Sequence, residues 1–234
     1  PSSDIDLMFI FPTAEEGISE IEHCITTLWD AGIEVSHTVR DFSDIDKFLK
    51  EDLHAFTQFF ETRFILGNKT FYDEWNSKLF NVINDSNKEK LIFKYFDDVD
   101  ARYKKYGYSP KVLEPNIKFT GGGLRDIHAV EWMYSIKNQK LLSGQDEVTQ
   151  TELFLKELLN EGQINRKAYK RLYDSYRVVL RARNLLHLVE ERKTDRLEFA
   201  QQELIAKKLG YNDSNWKEFM HEYYADPGQE LGEY

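Results

Sequence analysis

The run Ile5-Asp6-Leu7-Met8-Phe9-Ile10-Phe11, preceded by Ser2-Ser3-Asp4, constrains this chain more than any other stretch. It is rich in β-branched and aromatic residues and too short for a helix, so it predicts a buried strand. Alternation along a strand sends Asp4 and Asp6 to one face, about 7 Å apart, and Ile5, Leu7, Phe9 and Phe11 to the other. Two carboxylates at the open end of a core strand suit Mg²⁺, which takes hard oxygen ligands and keeps positions for phosphate. The Asp-x-Asp spacing alone is short, and a strand-entrance Asp4 beside a solvated Asp6 explains it equally well. A chain that starts directly on such a strand lacks the element that normally leads into it, so the sequence reads as a piece of a larger protein.

After a loop at Pro12 to Gly17, Ile21, Cys24, Ile25 and Leu28 recur at helical spacing, up to a stop near Ala31-Gly32. Ile33 to Val39 predicts a second strand. Ile33, Val35, His37 and Val39 share one face; Glu34, Ser36, Thr38 and Arg40 share the other. His37 on the apolar face reads as a core histidine rather than a metal ligand. Strand, helix and strand joined by short loops form an α/β unit.

From Ser43 onward the pattern turns helical. Ser43 with Asp46 is a candidate cap, followed by Phe48, Leu49, Leu53 and Phe56, and then by Phe59, Phe60, Phe64 and Ile65 up to Gly67. Further helices are predicted over Phe71 to Val82 and, after a capping box at Ser86 to Glu89, over a long stretch with Leu91, Ile92, Tyr95, Phe96, Val99 and Tyr103 inward. The aromatic rows Phe59, Phe60, Phe64 and Tyr95, Phe96 read as core rather than as a base-stacking platform. Gly107 to Gly123 is the one long irregular segment, a length usually associated with function or disorder. Helices resume at Leu124 to Ile136. One is capped by Thr149 with Glu152, a long one opens at Asn165, and a last pair covers Leu204 to Leu209 and Trp216 to Tyr223. The expected fold class is α+β: a partial α/β layer over residues 1–42, a mostly α-helical domain over 43–224, and an unpacked tail at 225–234.

Composition narrows the function. A net charge of −10 on 234 residues disfavours nucleic acid and anionic lipid as partners, since both need clustered Lys and Arg. The single cysteine, Cys24, excludes an internal disulfide and suits a reducing cytoplasm. No apolar run reaches membrane-spanning length, so no membrane partner is implied.

Four segments taken together resemble a known family. Ser3-Asp4-Ile5-Asp6-Leu7 is followed by Leu28-Trp29-Asp30-Ala31-Gly32-Ile33-Glu34-Val35-Ser36-His37-Thr38-Val39-Arg40. Then come Leu113-Glu114-Pro115-Asn116-Ile117-Lys118 leading into Gly121-Gly122-Gly123-Leu124-Arg125-Asp126-Ile127-His128, and Arg183-Asn184-Leu185-Leu186-His187-Leu188 with Asp195-Arg196-Leu197. This ordered set is similar to the nucleotidyltransferase region of bacterial [protein-PII] uridylyltransferases, up to about Tyr224.

The resemblance implies part of a DNA polymerase β-like nucleotidyltransferase layer with an appended helical domain. It implies transfer of UMP from UTP to a tyrosine of the regulatory protein PII, with release of pyrophosphate. Asp4 and Asp6 would be Mg²⁺ ligands, with Ser3 beside the nucleotide. Two cations bridging a triphosphate neutralise developing charge and align the attacking oxygen. Related adenylyltransferases carry a third acid where this chain has Ser36; Glu34, two residues away on the same face, is the candidate substitute. Relatives also hold the triphosphate on a Gly-Gly or Gly-Ser loop before the Asp-x-Asp. This chain begins after that point, so these residues alone are expected to be inactive and to bind Mg²⁺-UTP weakly. The full-length family adds an HD hydrolase domain and ACT domains; the chain has no His-Asp doublet, and neither activity is assigned to it. A related nucleotidyltransferase with another nucleotide or acceptor, or a non-catalytic regulatory module, remains an alternative.

The glycine segment supplies the other candidates. Gly122 and Gly123 precede a helix whose first amides suit an anion, and Arg125 lies in its first turn. By itself this pattern favours an ordinary turn with Arg125 paired to an aspartate; the resemblance shifts it toward the nucleotide. Lys118 and Asn116 are candidate phosphate or sugar contacts. Arg181 and Arg183 interrupt an apolar helix and must either pair or face a cleft; Arg183 falls on a family position. His128 and His187 sit among apolar neighbours and read as core.

Overall fold

The computed structural model describes residues 5–13, 17–109, 112–142, 148–211 and 216–224. Among them the chain is α+β and mostly helical. Strands β1 (Ile5–Ile10) and β2 (Val35–Arg40) flank helix α1 (Ile18–Asp30). There follow α2 (Phe42–Glu51), α3 (Leu53–Thr57), a 3₁₀ turn (Gln58–Glu61), α4 (Lys69–Val82), α5 (Lys88–Tyr106), α6 (Leu124–Asn138), α7 (Gln150–Asn160), α8 (Arg166–Glu190), α9 (Phe199–Leu209) and α10 (Trp216–Tyr223). Two compact units are present. One runs through Ser3–Lys94 and Trp132–Ser143, the other through Tyr95–Glu131 and Gly144–Tyr234. Residues on both sides of position 43 share the first unit.

In the first unit β1 and β2 pair in parallel, with Asp6 opposite Ser36 and Leu7 opposite His37. The Ile5 N–H donates to the Glu34 carbonyl at 3.1 Å and the Phe11 N–H to the Arg40 carbonyl at 3.0 Å. The strands are less buried than their sequence predicts. Ile5 is 49% exposed, and His37, expected in the core, is exposed with its ring edge-on to Phe9 at 6.3 Å. Among the described residues the sheet has two strands with α1 beside them. So few elements leave much of both faces open, however apolar the strand.

The core of this unit is aromatic. Phe56 meets Phe59 and Phe60 edge-on at 5.8 and 5.5 Å, and Phe59 meets Trp75 at 5.4 Å; all four are fully buried. Offset and edge-on contacts add to the area term for such rings. Helix α2 starts two residues earlier than a cap at Ser43 predicts. Asp41 is the cap, accepting the Ser43 N–H at 2.7 Å while Asp44 accepts the Asp41 N–H at 3.1 Å. The Asp41 carboxylate also takes the Ser43 hydroxyl at 2.6 Å, which leaves Ser43 as a supporter of the cap. Past Glu61 the helical pattern breaks, and Ile65 is 60% exposed.

Helix α5 buries Leu91, Tyr95 and Arg102, whereas Phe96 is 55% exposed. The inward stripe therefore follows positions 91, 95 and 102, four and seven residues on, and ends on a charge. The second unit's core gathers Ile117 and Leu124 with Val179, Ala182 and Leu186 of α8, Leu197, Ile205 of α9 and Phe219 of α10. The sequence-derived caps hold here: Thr149 and Glu152 form a reciprocal capping box on α7, and the Asn165 side chain accepts the Ala168 N–H at 2.8 Å to open α8.

Trp75 lies at the centre of the aromatic cluster with no exposed surface. Trp75→Ala should destabilise the first unit by about 3–5 kcal/mol, read as a lowered urea midpoint at an unchanged m-value. An unchanged midpoint would show that the cluster does not hold this unit together.

Candidate functional site

The glycine segment is held by a short antiparallel bridge. Asn116 pairs with Arg196; the Ile117 N–H donates to the Asp195 carbonyl at 2.7 Å and the Leu197 N–H to the Pro115 carbonyl at 2.9 Å. Asn116 then turns the chain, its Oδ1 accepting the N–H groups of Lys118 and Phe119 at 3.1 and 2.9 Å. An Asx turn of this kind gives the backbone a local partner in place of a ladder. Asn116, expected as a ligand contact, is engaged here as a turn former.

The glycines answer to geometry. A Cβ on Gly123 would stand 2.7 Å from the Ile117 carbonyl oxygen and 2.8 Å from that of Thr120, both fixed backbone. Gly122 has φ +81°, in the left-handed region. Their amides are spent internally. Gly123 N–H donates to the Thr120 carbonyl at 2.8 Å, Leu124 to Ile117 at 3.0 Å and Arg125 to Lys118 at 2.9 Å. The Gly122 N–H donates to Asp126 Oδ2 at 2.6 Å. The amides expected to meet an anion at the start of α6 are thus already partnered by the chain itself.

Asp126 organises this turn. Its Oδ2 also accepts the Tyr103 hydroxyl at 2.8 Å, and its Oδ1 lies 2.7 Å from Nη2 of Arg102. Arg102 is only 8% exposed, and its Nη1 donates to the Phe119 carbonyl at 3.1 Å. Burial, reinforced by the hydrogen bond to Asp126, pushes the Tyr103 phenol up to about 12. Sequence reasoning passed over Arg102, although its position on the buried stripe of α5 was the signal: a charge there requires a partner.

The basic candidates lie in the same unit. Lys118 precedes the turn and Arg125 opens α6. Arg183 on α8 reaches Asp195 with its Nε at 2.6 Å from Oδ1, next to the bridge that holds Ile117. His187 is buried, with Nε2 3.5 Å from the same oxygen but not hydrogen-bonded to it. Arg125 Nη1 lies 3.5 Å from Nδ1 of His128, one turn along α6. His128 is pushed down to about 4, first by burial and then by the charges of Arg125, Lys118 and Arg183. Arg181 is exposed and lines two shallow clefts, of about 190 and 390 Å³.

In the other unit, Asp6 and Glu34 are exposed. Asp6 stands opposite Ser36, and strand alternation sets Glu34 on the same face as Ser36. Ser3 and Asp4 lie outside the described residues. Carboxylate and hydroxyl oxygens are hard donors of the kind Mg²⁺ takes. Among the described residues no three His, Cys, Asp or Glu side chains gather into a metal-binding group. No described helix is long and apolar enough to cross a membrane.

The family model described as GlnD PII-uridylyltransferase matches residues 92–226, more than half of the chain. The chain belongs to this family. The matched span contains the glycine turn, Arg102, Asp126, His128 and the Arg183–Asp195 pair. Several relatives are named bifunctional uridylyltransferase/uridylyl-removing enzyme. One from Rhodospirillum rubrum is 29% identical over 230 residues, covering 96% of this chain and 23% of the relative. One from Pseudomonas entomophila is 34% identical over 234 residues, covering 96% and 24%. One from Hydrogenovibrio crunogenus is 33% identical over 215 residues, covering 91% and 22%. The GlnD-type chain thus spans about a quarter of the length of these curated relatives.

Two substitutions separate the roles within this turn. Arg102→Ala leaves the Asp126 carboxylate without its cation and should cost about 3–5 kcal/mol of stability. Gly123→Ala forces two backbone carbonyls apart and should cost about 1–3 kcal/mol. Thermal or urea denaturation checks both, and wild-type stability in either variant would contradict the closed-turn geometry.

Proposed function

We propose that this chain forms part of the nucleotidyltransferase region of a GlnD-type enzyme that transfers UMP from UTP to a tyrosine of PII and releases pyrophosphate. The observation that carries the reading is the family match over residues 92–226, a span that includes Lys118, Arg125 and Arg183. Cations in this span would provide electrostatic stabilisation for a phosphate chain, whose transfer depends chiefly on positioning and charge. With the turn amides engaged internally, side chains rather than backbone bind the anion here. The contact of Arg183 with Asp195 orients the guanidinium and lowers the freedom it loses on binding.

Asp4, Asp6 and Glu34 are the residues that would hold Mg²⁺, through carboxylate oxygens at one end of the sheet. When bound, the metal would neutralise charge on the triphosphate and pyrophosphate. The uridylyl-removing activity in the relatives' names is not part of this proposal, because the chain carries no His-Asp doublet.

The test is transfer of label from UTP to the cognate PII by the full-length protein. Asp4→Asn and Asp6→Asn should each abolish transfer at unchanged melting temperature. Arg125→Ala should lower kcat/KM by roughly two to three orders of magnitude. Glu34→Gln should cripple transfer at saturating Mg²⁺ and UTP while Ser36→Ala is mild; a silent Glu34→Gln would remove Glu34 from the metal site. Full activity in both aspartate variants, or efficient transfer from another nucleotide in place of UTP, would overturn the proposal.

A further inference from the structure

We propose that the exposed face of α8 is a docking groove for an extended, acidic segment of a protein partner, with Arg177 and Arg181 as its anchors. The inference goes beyond the proposed transfer and does not depend on it. Helix α8 carries seven Lys and Arg side chains against two acids, in a chain whose net charge is −10. Arg166, Lys170, Tyr173, Arg177, Arg181 and Asn184 follow one another at three- and four-residue steps, so they share one stripe of the helix. The opposite stripe, with Val179, Ala182 and Leu186, packs into the core of the second unit.

The charge on the exposed stripe is left unanswered. Lys170 pairs with Asp174, but among the described residues the side chains of Arg166 and Arg181 make no hydrogen bond or ion pair. Arg177 donates from Nη1 to the Tyr173 hydroxyl at 3.3 Å, its guanidinium 5.6 Å from the centre of that ring. Arg183, off the stripe, does have its acid in Asp195. Two clefts open along the stripe and share Arg181. The larger, about 390 Å³, is lined by Thr149 and Glu152 at the start of α7 and by Tyr173, Arg177 and Asn184. The smaller, about 190 Å³, continues past Arg181 to Gly210, Tyr211 and Glu222. Both cleft carboxylates are engaged elsewhere, Glu152 by the Thr149 N–H at 3.0 Å and Glu222 by the Tyr211 hydroxyl.

Spacing selects the ligand. Four residues of helix set Arg177 and Arg181 about 6 Å apart along the axis, and alternate side chains of an extended strand lie about 7 Å apart. Acids at every second position of an extended segment therefore meet successive guanidiniums, each able to grip a carboxylate through two N–H groups. The stripe from Arg166 to Asn184 runs about 27 Å, the reach of about eight extended residues and far more than one small anion occupies. Tyrosine and arginine are also the side chains that most often anchor protein interfaces. Nucleic acid suits the groove less. Asp174, Glu152 and Glu222 would repel a continuous phosphate chain, and the Tyr173 ring is already engaged by Arg177 and by Tyr169, stacked at 5.9 Å.

The experiment is fluorescence polarisation of a dye-labelled peptide of alternating glutamate and alanine, about eight residues long, titrated with the full-length protein. Arg181→Gln should weaken binding about threefold to fivefold, and Arg177→Gln with Arg181→Gln about tenfold or more. Both losses should shrink at high salt. Lys69→Gln removes the same charge from α4 and should leave the affinity unchanged. In wild-type protein the peptide should protect Arg177 and Arg181 from phenylglyoxal, read by mass spectrometry, a measurement that needs no variant to fold. Absence of binding, equal effects of Arg181→Gln and Lys69→Gln, or unprotected arginines at saturation would overturn the inference. So would stronger competition from an oligothymidylate of equal charge, which would make the groove a nucleic-acid site. UMP transfer to PII reads the proposed function separately.

Discussion

The second unit depends on one buried ion pair. Arg102 is nearly inaccessible, and a guanidinium in that position costs several kcal/mol of desolvation unless a carboxylate answers it. Asp126 does so at 2.7 Å, and its remaining oxygen takes the Gly122 N–H and the Tyr103 hydroxyl. Replacing Asp126 would orphan a charge, an amide and a phenol together, so its position is over-determined. An aspartate in the first turn of α6 also faces the positive end of the helix, which favours it further. The glycine turn is therefore closed by side-chain electrostatics as well as by backbone bonds.

That closure decides how the segment meets a ligand. A glycine-rich turn before a helix usually offers its amides to an anion, and here each amide from Gly122 to Arg125 donates within the chain. Under the proposed function, recognition would pass to the cations of this segment. Their mutual repulsion is tolerated because Asp195 partners Arg183 and because His128 stays neutral among them.

Local chemistry was legible from residue order. Helix α6, the Thr149–Glu152 capping box and strand β1 each follow from interactions within a few residues, which spacing encodes directly. Family membership was legible as well, because it rests on ordered motifs along the chain. The caps of α7 and α8 fall where Thr149 and Asn165 indicate. Asp41 displaced Ser43 as the cap of α2 because a carboxylate accepts the first-turn amide and the serine hydroxyl at once.

Burial and partnership were decided only by the tertiary structure. The apolar run of β1 reads as core, yet Ile5 and His37 are exposed where no described element covers them. Phe96 reads as inward, yet Arg102 takes the buried stripe of α5 because Asp126, 24 residues away, makes burial of its charge tolerable. The sequence by itself determined which residues can cap, turn and carry charge, since those are properties of a residue and its near neighbours. Which charges meet, and which amides remain for a ligand, depends on contacts between distant segments, and only the folded chain sets those.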